Sequence, residues 1–411
     1  MLALAVVVAV GLAHPGPRFV DFIGFSARAR QLPEALVDPL YPIGYPVLLR
    51  LLKPLCGDVL LAGRALSTAG AVLLVALFQR RLGTVPAAAI AATAGWMTFG
   101  STEGTDMLAA ALTLGALTHS GWRAGALLGA ALLVRYSAIA AVPVVLMTRD
   151  WRTWVAALVV TAPHWLIALF TGGSLLPDQQ ANIAIGAAGG PGMWSWHTVE
   201  RLPMGIWLAV RDMEPLAWVG ALGLLTGLRD PRGQPSSARR LLAFAVLHVV
   251  MLGIVFSRPR LALPATLALA AGCAWLLRWR WTPLLLLLPA GWNLSESLRS
   301  TPQEQSLRPI LEATTTLEGT FLSTSPWFCT REQGWLVPAK NMRELGNPRT
   351  VTPDRVARWS IDHGIDYVVV DVGRIPASWP RLHPLMLGEA PAGLTVELQV
   401  GDWTVYRVDR R

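Results

Sequence analysis

The chain has 411 residues, of which 53 % are hydrophobic and only 15 % charged. A soluble protein covers its surface with about 25 % charged residues, so the composition excludes a water-soluble globular chain and calls for many membrane crossings. Collagen, coiled-coil, disordered and disulfide-scaffold classes are excluded as well, and the formal charge of +9 comes from arginines scattered between apolar runs, not from a basic tract suited to nucleic acid.

Residues 1–13 form an apolar run shorter than the roughly 20 residues a helix needs to cross about 30 Å of hydrocarbon. With no basic leader and a poor cleavage site, the run reads as a first span with its start missing, not as a signal peptide. Asp21, the first acidic residue, follows in Phe19-Val20-Asp21-Phe22-Ile23. A carboxylate among apolar neighbours at a membrane mouth suits a general base, and a helix cap or a solvated loop charge is the plainer reading of the same residue. An arginine-bearing helix over residues 27–32 includes Arg28. Beyond it Pro39, Pro42, Gly44 and Pro46 set a rigid extended loop around Tyr45 that enters a helix.

Apolar segments then recur near 59–78, 84–100, 105–119, 122–134, 137–148, 153–170, 214–228, 241–256, 261–277 and 282–292. With the first run they make about eleven spans. Arg64 and Arg135 fall near bilayer depth, where a charge needs a partner that the sequence does not name. Glu103 and Asp106 open one of the spans, either as partners of the helix dipole or as substrate-binding acids. The long outer loop 171–202 holds Trp194, Trp196 and the lone His197, where the indoles could stack on a sugar ring or prenyl tail.

Placing the N-terminus in the cytoplasm makes the loops at 79–81, 123, 149–152, 229–240 and 278–280 cytoplasmic, and each of them is basic. The opposite loops near 100–105 and 171–200 carry no Lys or Arg, as the positive-inside rule requires. Arg258 and Arg260 break that rule by parity, which makes them candidate phosphate clamps, with contact to lipid headgroups as the plainer alternative.

After Trp292 the composition turns polar. Residues 321–324 and 366–371 read as strands, residues 352–363 as a helix stopped by Gly364, and residues 394–408 as a hairpin turning at Gly401-Asp402. The expected fold is an α-helical polytopic membrane protein, residues 1–292, followed by a small soluble α/β domain, residues 293–411, on the outer (periplasmic) side. Cys56, Cys273 and Cys329 are far apart and neither cysteines nor histidines show metal spacing, so no metal or other cofactor is expected.

Across residues 1–150 the chain resembles the polyprenyl-phosphate-sugar-dependent glycosyltransferases of the GT-C class, which include protein O-mannosyltransferases and lipid A aminoarabinose transferases. The resemblance rests on Asp21, the short helix after it, Pro42-Ile43-Gly44-Tyr45-Pro46-Val47-Leu48, Arg64-Ala65-Leu66-Ser67, Glu103-Gly104-Thr105-Asp106 and Leu133-Val134-Arg135. The segment from Arg258 to Pro264 and the strand from Asp366 extend it. One departure is that Asp21 is followed by Phe22 where the family often has a second acid, so a two-carboxylate site would recruit Glu103 or Asp106.

The resemblance implies an inverting transferase of a bacterial inner membrane. It would take a sugar from a polyprenyl-phosphate donor to a lipid, glycan or protein acceptor, with Asp21 as base, Asp106 as second acid and Glu103, Arg258, Arg260, Arg28, Tyr45 and His197 at the substrate. A transporter or lipid flippase, or an inactive relative, is the competing reading. No repeat between the halves favours the first of these.

Overall fold

The structure, a computed structural model, describes residues 2–14, 17–18, 20–34, 42–147, 150–170, 196–228, 235–255, 259–276, 285–299, 302–374 and 378–409. The chain divides into two compact units, one of Met1–Pro15 with Gln31–Arg299, the other of Gly16–Arg30 with Ser300–Arg411. The boundary expected at 292/293 falls inside the helix Leu287–Ser297, and residues 16–30 belong to the C-terminal unit, not to the N-terminal helices.

Helix α1 (Leu2–Ala13) belongs to the first unit and α2 (Val20–Arg30) to the second. The first unit continues with α3 (Gly44–Cys56), α4 (Val59–Leu82), α5 (Thr84–Ala91), α6 (Ala94–Ser101), α7 (Asp106–Thr118) and α8 (Gly121–Val134). After a 3-10 turn at Tyr136–Ala141 come α9 (Val142–Leu146), α10 (Trp151–Phe170), α11 (Trp196–Arg211), α12 (Pro215–Gly227), α13 (Pro235–Val255) and α14 (Pro259–Ala270).

Local chemistry sets the ends of these helices. The Asp58 carboxylate accepts the Leu60 N–H at 2.7 Å to start α4, and Gly83, at φ 101°, closes it by donating to the Phe78 and Gln79 carbonyls. Thr93 breaks the span expected at 84–100 into α5 and α6, because its hydroxyl accepts the Trp96 N–H at 3.2 Å and opens a new helix. The span expected at 137–148 is the 3-10 turn and the short α9, with Pro143 at the start of the latter.

Among the described residues three helices are long and apolar enough to cross a membrane, Val59–Leu82, Trp151–Phe170 and Ser236–Gly253. Shorter apolar helices, such as Asp106–Thr118, Gly121–Val134 and Pro215–Gly227, accompany them, so the eleven expected spans are not reproduced one for one. Hydropathy also missed α11, in whose sequence Glu200, Arg201 and Arg211 dilute the apolar residues.

Small residues let these helices approach closely, the usual packing device where lipid removes any hydrophobic drive between helices. In α8, Gly125 and Gly129 form a GxxxG face against α10. A Cβ at Gly125 would overlap the Thr153 carbonyl oxygen and come within 2.7 Å of the Ala156 Cβ, and one at Gly129 would lie 2.8 Å from the Val160 Cβ. Gly125→Leu is therefore expected to destabilise the unit by about 3 kcal/mol through overpacking. Thermal unfolding in detergent checks this; an unchanged midpoint would mean that α8 and α10 do not pack as described.

The second unit holds a five-stranded sheet ordered β4-β1-β5-β7-β6 and a separate β2-β3 hairpin. The strands are β1 (Phe321–Ser323), β2 (Cys329–Glu332), β3 (Trp335–Pro338), β4 (Lys340–Asn341), β5 (Tyr367–Asp371), β6 (Leu394–Val400) and β7 (Trp403–Val408). β1 runs parallel to β4 and β5, while β7 is antiparallel to β5 and β6. Period-two alternation along β5 sends Val368 and Val370 into one core with Leu322, Val356 and Tyr406, and Val369 into the other with Ile310, Phe321 and Val405. Gly401, at φ 56°, supplies the turn between β6 and β7. The helix Pro353–Asp362 starts after Thr352, whose side chain makes no capping hydrogen bond.

Candidate functional site

The turn between α6 and α7 is Thr102-Glu103-Gly104-Thr105, and its side chains are buried. Gly104 has φ 145°, a conformation that favours glycine. The Gly104 N–H donates to the Tyr45 Oη at 3.1 Å, and its carbonyl accepts from the Ser67 hydroxyl at 3.2 Å. Residues of α3 and α4 thereby pin the turn, fixing Glu103 before Gly104 and Asp106 two residues after it.

Each acid faces an arginine. The Arg64 Nε lies 3.7 Å from the Glu103 Oε2, in a pair whose carboxylate is fully buried. Other nitrogens of Arg64 donate to the carbonyls of Gly11, at 3.3 Å, and His14, so the same side chain closes the C-terminal end of α1. The Arg135 Nη1 meets the Asp106 Oδ1 at 2.8 Å and donates to the Thr105 hydroxyl at 2.6 Å. Arg135 follows directly on α8 in an extended conformation, which turns it toward the N-terminus of α7. These are the partners that an arginine at bilayer depth demands.

Tyr45 lies within this charge arrangement. Burial pushes its phenol well above the ordinary tyrosine range, the Gly104 N–H opposes that in part, and the charges of Glu103 and Asp106 push it further up. The hydroxyl therefore keeps its proton at neutral pH. Tyr45, Glu103 and Asp106 are thus brought together by the fold, as neighbours in one polar cluster of the first unit.

Asp21 and Arg28 lie on α2 of the second unit, and Asp21 is half-buried in its first turn. The expected outer loop followed by a helix at 27–32 is instead one helix from Val20, because Phe22, Phe25, Ser26 and Ala29 fall on one helical face that packs against β3. The Ser26 hydroxyl serves both backbone groups of Leu336, accepting its N–H at 3.1 Å and donating to its carbonyl at 3.3 Å. At the end of α2, Arg30 pairs with Glu332 at 2.6 Å, and that hydrogen bond holds the exposed Glu332 carboxyl below the usual range.

Arg260 opens α14, which packs against α7. Arg258 lies outside the described residues, as do Trp194 and most of the loop expected at 171–202. His197 stands in the first turn of α11, not in a loop, and its side chain lies outside what is described. One partly buried acid escaped the sequence reading altogether. Glu214 accepts the N–H groups of Ala94 at 2.7 Å and Gly95 at 2.6 Å, capping α6 from a distance. Among the described residues no three of His, Cys, Asp and Glu come together to hold a metal ion.

Apolar helices in close glycine-mediated contact, carrying a buried acid–arginine cluster where α6 meets α7, define a polytopic membrane protein, and its fold is that of the GT-C class. The chain superposes on the crystal structure of ArnT from Cupriavidus metallidurans bound to undecaprenyl phosphate with a TM-score of 0.59 at 15 % identity, over 98 % of this chain and 96 % of that one. ArnT in the apo state aligns with a TM-score of 0.47 at 16 % identity over 98 % and 96 % of the two chains. The arabinofuranosyltransferase AftD from Mycobacteria, solved by cryo-electron microscopy, gives 0.47 at 16 % over 100 % of this chain and 41 % of that one. No protein-family profile and no curated protein sequence matches the chain.

Proposed function

We propose that the chain is an inverting integral-membrane glycosyltransferase that moves a sugar from a polyprenyl-phosphate carrier to a lipid, glycan or protein acceptor at the outer face of a bacterial inner membrane. The observation that carries this reading is the near full-length likeness in fold to ArnT with undecaprenyl phosphate bound. The N-terminus is cytoplasmic and the C-terminal α/β unit periplasmic, on the arginine distribution read from the sequence.

In this reaction the acceptor oxygen attacks the anomeric carbon from the face opposite the phosphate. The bond from that carbon to the phosphate oxygen breaks and its electrons leave with polyprenyl phosphate. Asp21 takes the acceptor proton, and general-base help of this kind contributes about 10²- to 10⁴-fold. The arginines at 28, 258 and 260 offset the charge of the departing phosphate. Asp106 acts as the second acid, and Tyr45, Glu103 and His197 hold sugar or acceptor hydroxyls. The pairing of Glu103 with Arg64 and of Asp106 with Arg135 supports this, because it fixes both carboxylates in place at the buried turn.

Proteoliposomes loaded with a radiolabelled polyprenyl-phosphate sugar and acceptor-bearing lipid extract test the proposal. Release of polyprenyl phosphate together with labelled acceptor is the expected result. Sugar that crosses the bilayer without release would identify a transporter or flippase, and neither event would identify an inactive relative.

A further inference from the structure

A second charged site lies away from the acid–arginine cluster. Helix α7 begins at Asp106 and has 13 residues, so its far end at Thr118 is about 20 Å away at a rise of about 1.5 Å per residue. Helix α8 returns from Gly121 toward Arg135, and α4 runs from Arg64 near its start to Arg81 near its end. At this far end a cavity of about 560 Å³ opens beside the α7–α8 turn, within the size range of small-ligand sites.

Arg81, Arg123, Arg152 and Arg240 line the cavity, with Asp150 the single carboxylate among the lining residues. Its wall is built, not fortuitous. The Arg240 Nη1 donates to the carbonyls of Leu117 at 3.3 Å and His119 at 3.1 Å, and the Thr153 hydroxyl ties α10 to the Gly121 carbonyl at 3.2 Å. The Asp150 Oδ1 is engaged by the Arg152 N–H at 3.1 Å. Three helices, α8, α10 and α13, start at this cavity, and helix N-termini present N–H groups and the positive end of the dipole. The Ser120 side chain makes no cap hydrogen bond to α8. A topology signal requires only that arginines sit in loops; it requires neither a cavity nor converging helix starts.

Beside the cavity Trp122 and Trp151 meet edge to face, with ring centroids 5.7 Å apart, and both are more than half exposed or close to it, at 50 % and 63 %. Exposed indoles of this kind favour headgroup depth. We propose that the cavity binds a phosphate group, presented by an anionic phospholipid headgroup in the leaflet on the side opposite the acid–arginine cluster. The bound phosphate bridges α8, α10 and the start of α13. A soluble phosphate offers the same chemistry from another source, and the experiment tells the two apart.

Full-length wild type and the Arg123→Gln/Arg152→Gln variant are purified in detergent. Native mass spectrometry then measures retention of phosphatidylglycerol against phosphatidylcholine, and thermal unfolding is followed with and without inorganic phosphate. Both arginines are exposed side chains, so the exchange is expected to leave the unfolding midpoint in phosphatidylcholine unchanged. The expected result is preferential retention of phosphatidylglycerol by the wild type, lowered about tenfold or more in the variant, since each interfacial arginine contributes to anionic-lipid binding. Stabilisation by inorganic phosphate without lipid preference, lost in the variant, assigns the site to a soluble phosphate. Equal retention of both lipids and no phosphate effect in the wild type, or a preference unchanged in the variant, overturns the proposal. The wild-type arms decide the matter by themselves if the double variant does not fold, and Arg152→Gln alone then locates the site.

Discussion

Asp21→Asn is expected to lower sugar transfer by about 10²- to 10⁴-fold while leaving the protein as abundant as the wild type. The amide keeps the size and hydrogen-bonding reach of the side chain but does not accept the acceptor's proton. The structural cost is small for reasons that lie in α2. Asp21 sits in the first turn, where loss of a carboxylate from the helix dipole costs about 0.3–1 kcal/mol. The face that anchors the helix to β3, through Phe22, Phe25 and Ala29, is untouched. A residue that served only as a dipole partner would show the opposite pattern, a slightly lowered midpoint with transfer intact. Transfer rate and thermal midpoint, measured on the same reconstituted preparation, therefore separate the two roles, and undiminished transfer removes Asp21 as the base.

Much of the helical layout was legible because long apolar runs bounded by capping residues leave few alternatives. α7, α8, α10 and α12 lie within a few residues of the apolar segments at 105–119, 122–134, 153–170 and 214–228. Hydropathy fails where a single side chain decides the geometry. The Thr93 hydroxyl splits an unbroken apolar stretch, and no average over a window registers one capping hydrogen bond. It fails again for α2 and α11, where apolar residues occupy one face only and the mean is diluted by charge.

The candidate site shows the same division. Glu103 and Asp106 stood out because acids are rare in this chain, as did Tyr45 among its prolines. Their pairing with Arg64 and Arg135 depends on how α4 and α8 pack beside the 102–105 turn, which residue types do not encode. Glu214 was overlooked for a related reason. It caps a helix more than a hundred residues away in sequence, so only the folded chain brings its carboxylate to the Ala94 and Gly95 N–H groups.

Arg135→Gln is expected to destabilise the first unit by about 3–5 kcal/mol, because it strips the partner from a carboxylate that is almost wholly buried. Asp106→Asn leaves the guanidinium unpaired at the same depth and is expected to cost a similar amount. The double variant Asp106→Asn/Arg135→Gln removes both charges at once and should recover most of the loss, giving a coupling of at least about 3 kcal/mol in a double-mutant cycle followed by thermal unfolding in detergent. Additive losses would mean that the two residues do not act as a pair. The cycle also isolates chemistry from architecture. If Asp106 contacts the sugar or the acceptor, transfer stays low in the double variant although its stability has returned. Transfer that recovers in step with stability would make the pair an internal brace that only positions the α6–α7 turn, leaving Tyr45 and Glu103 to hold the substrate hydroxyls.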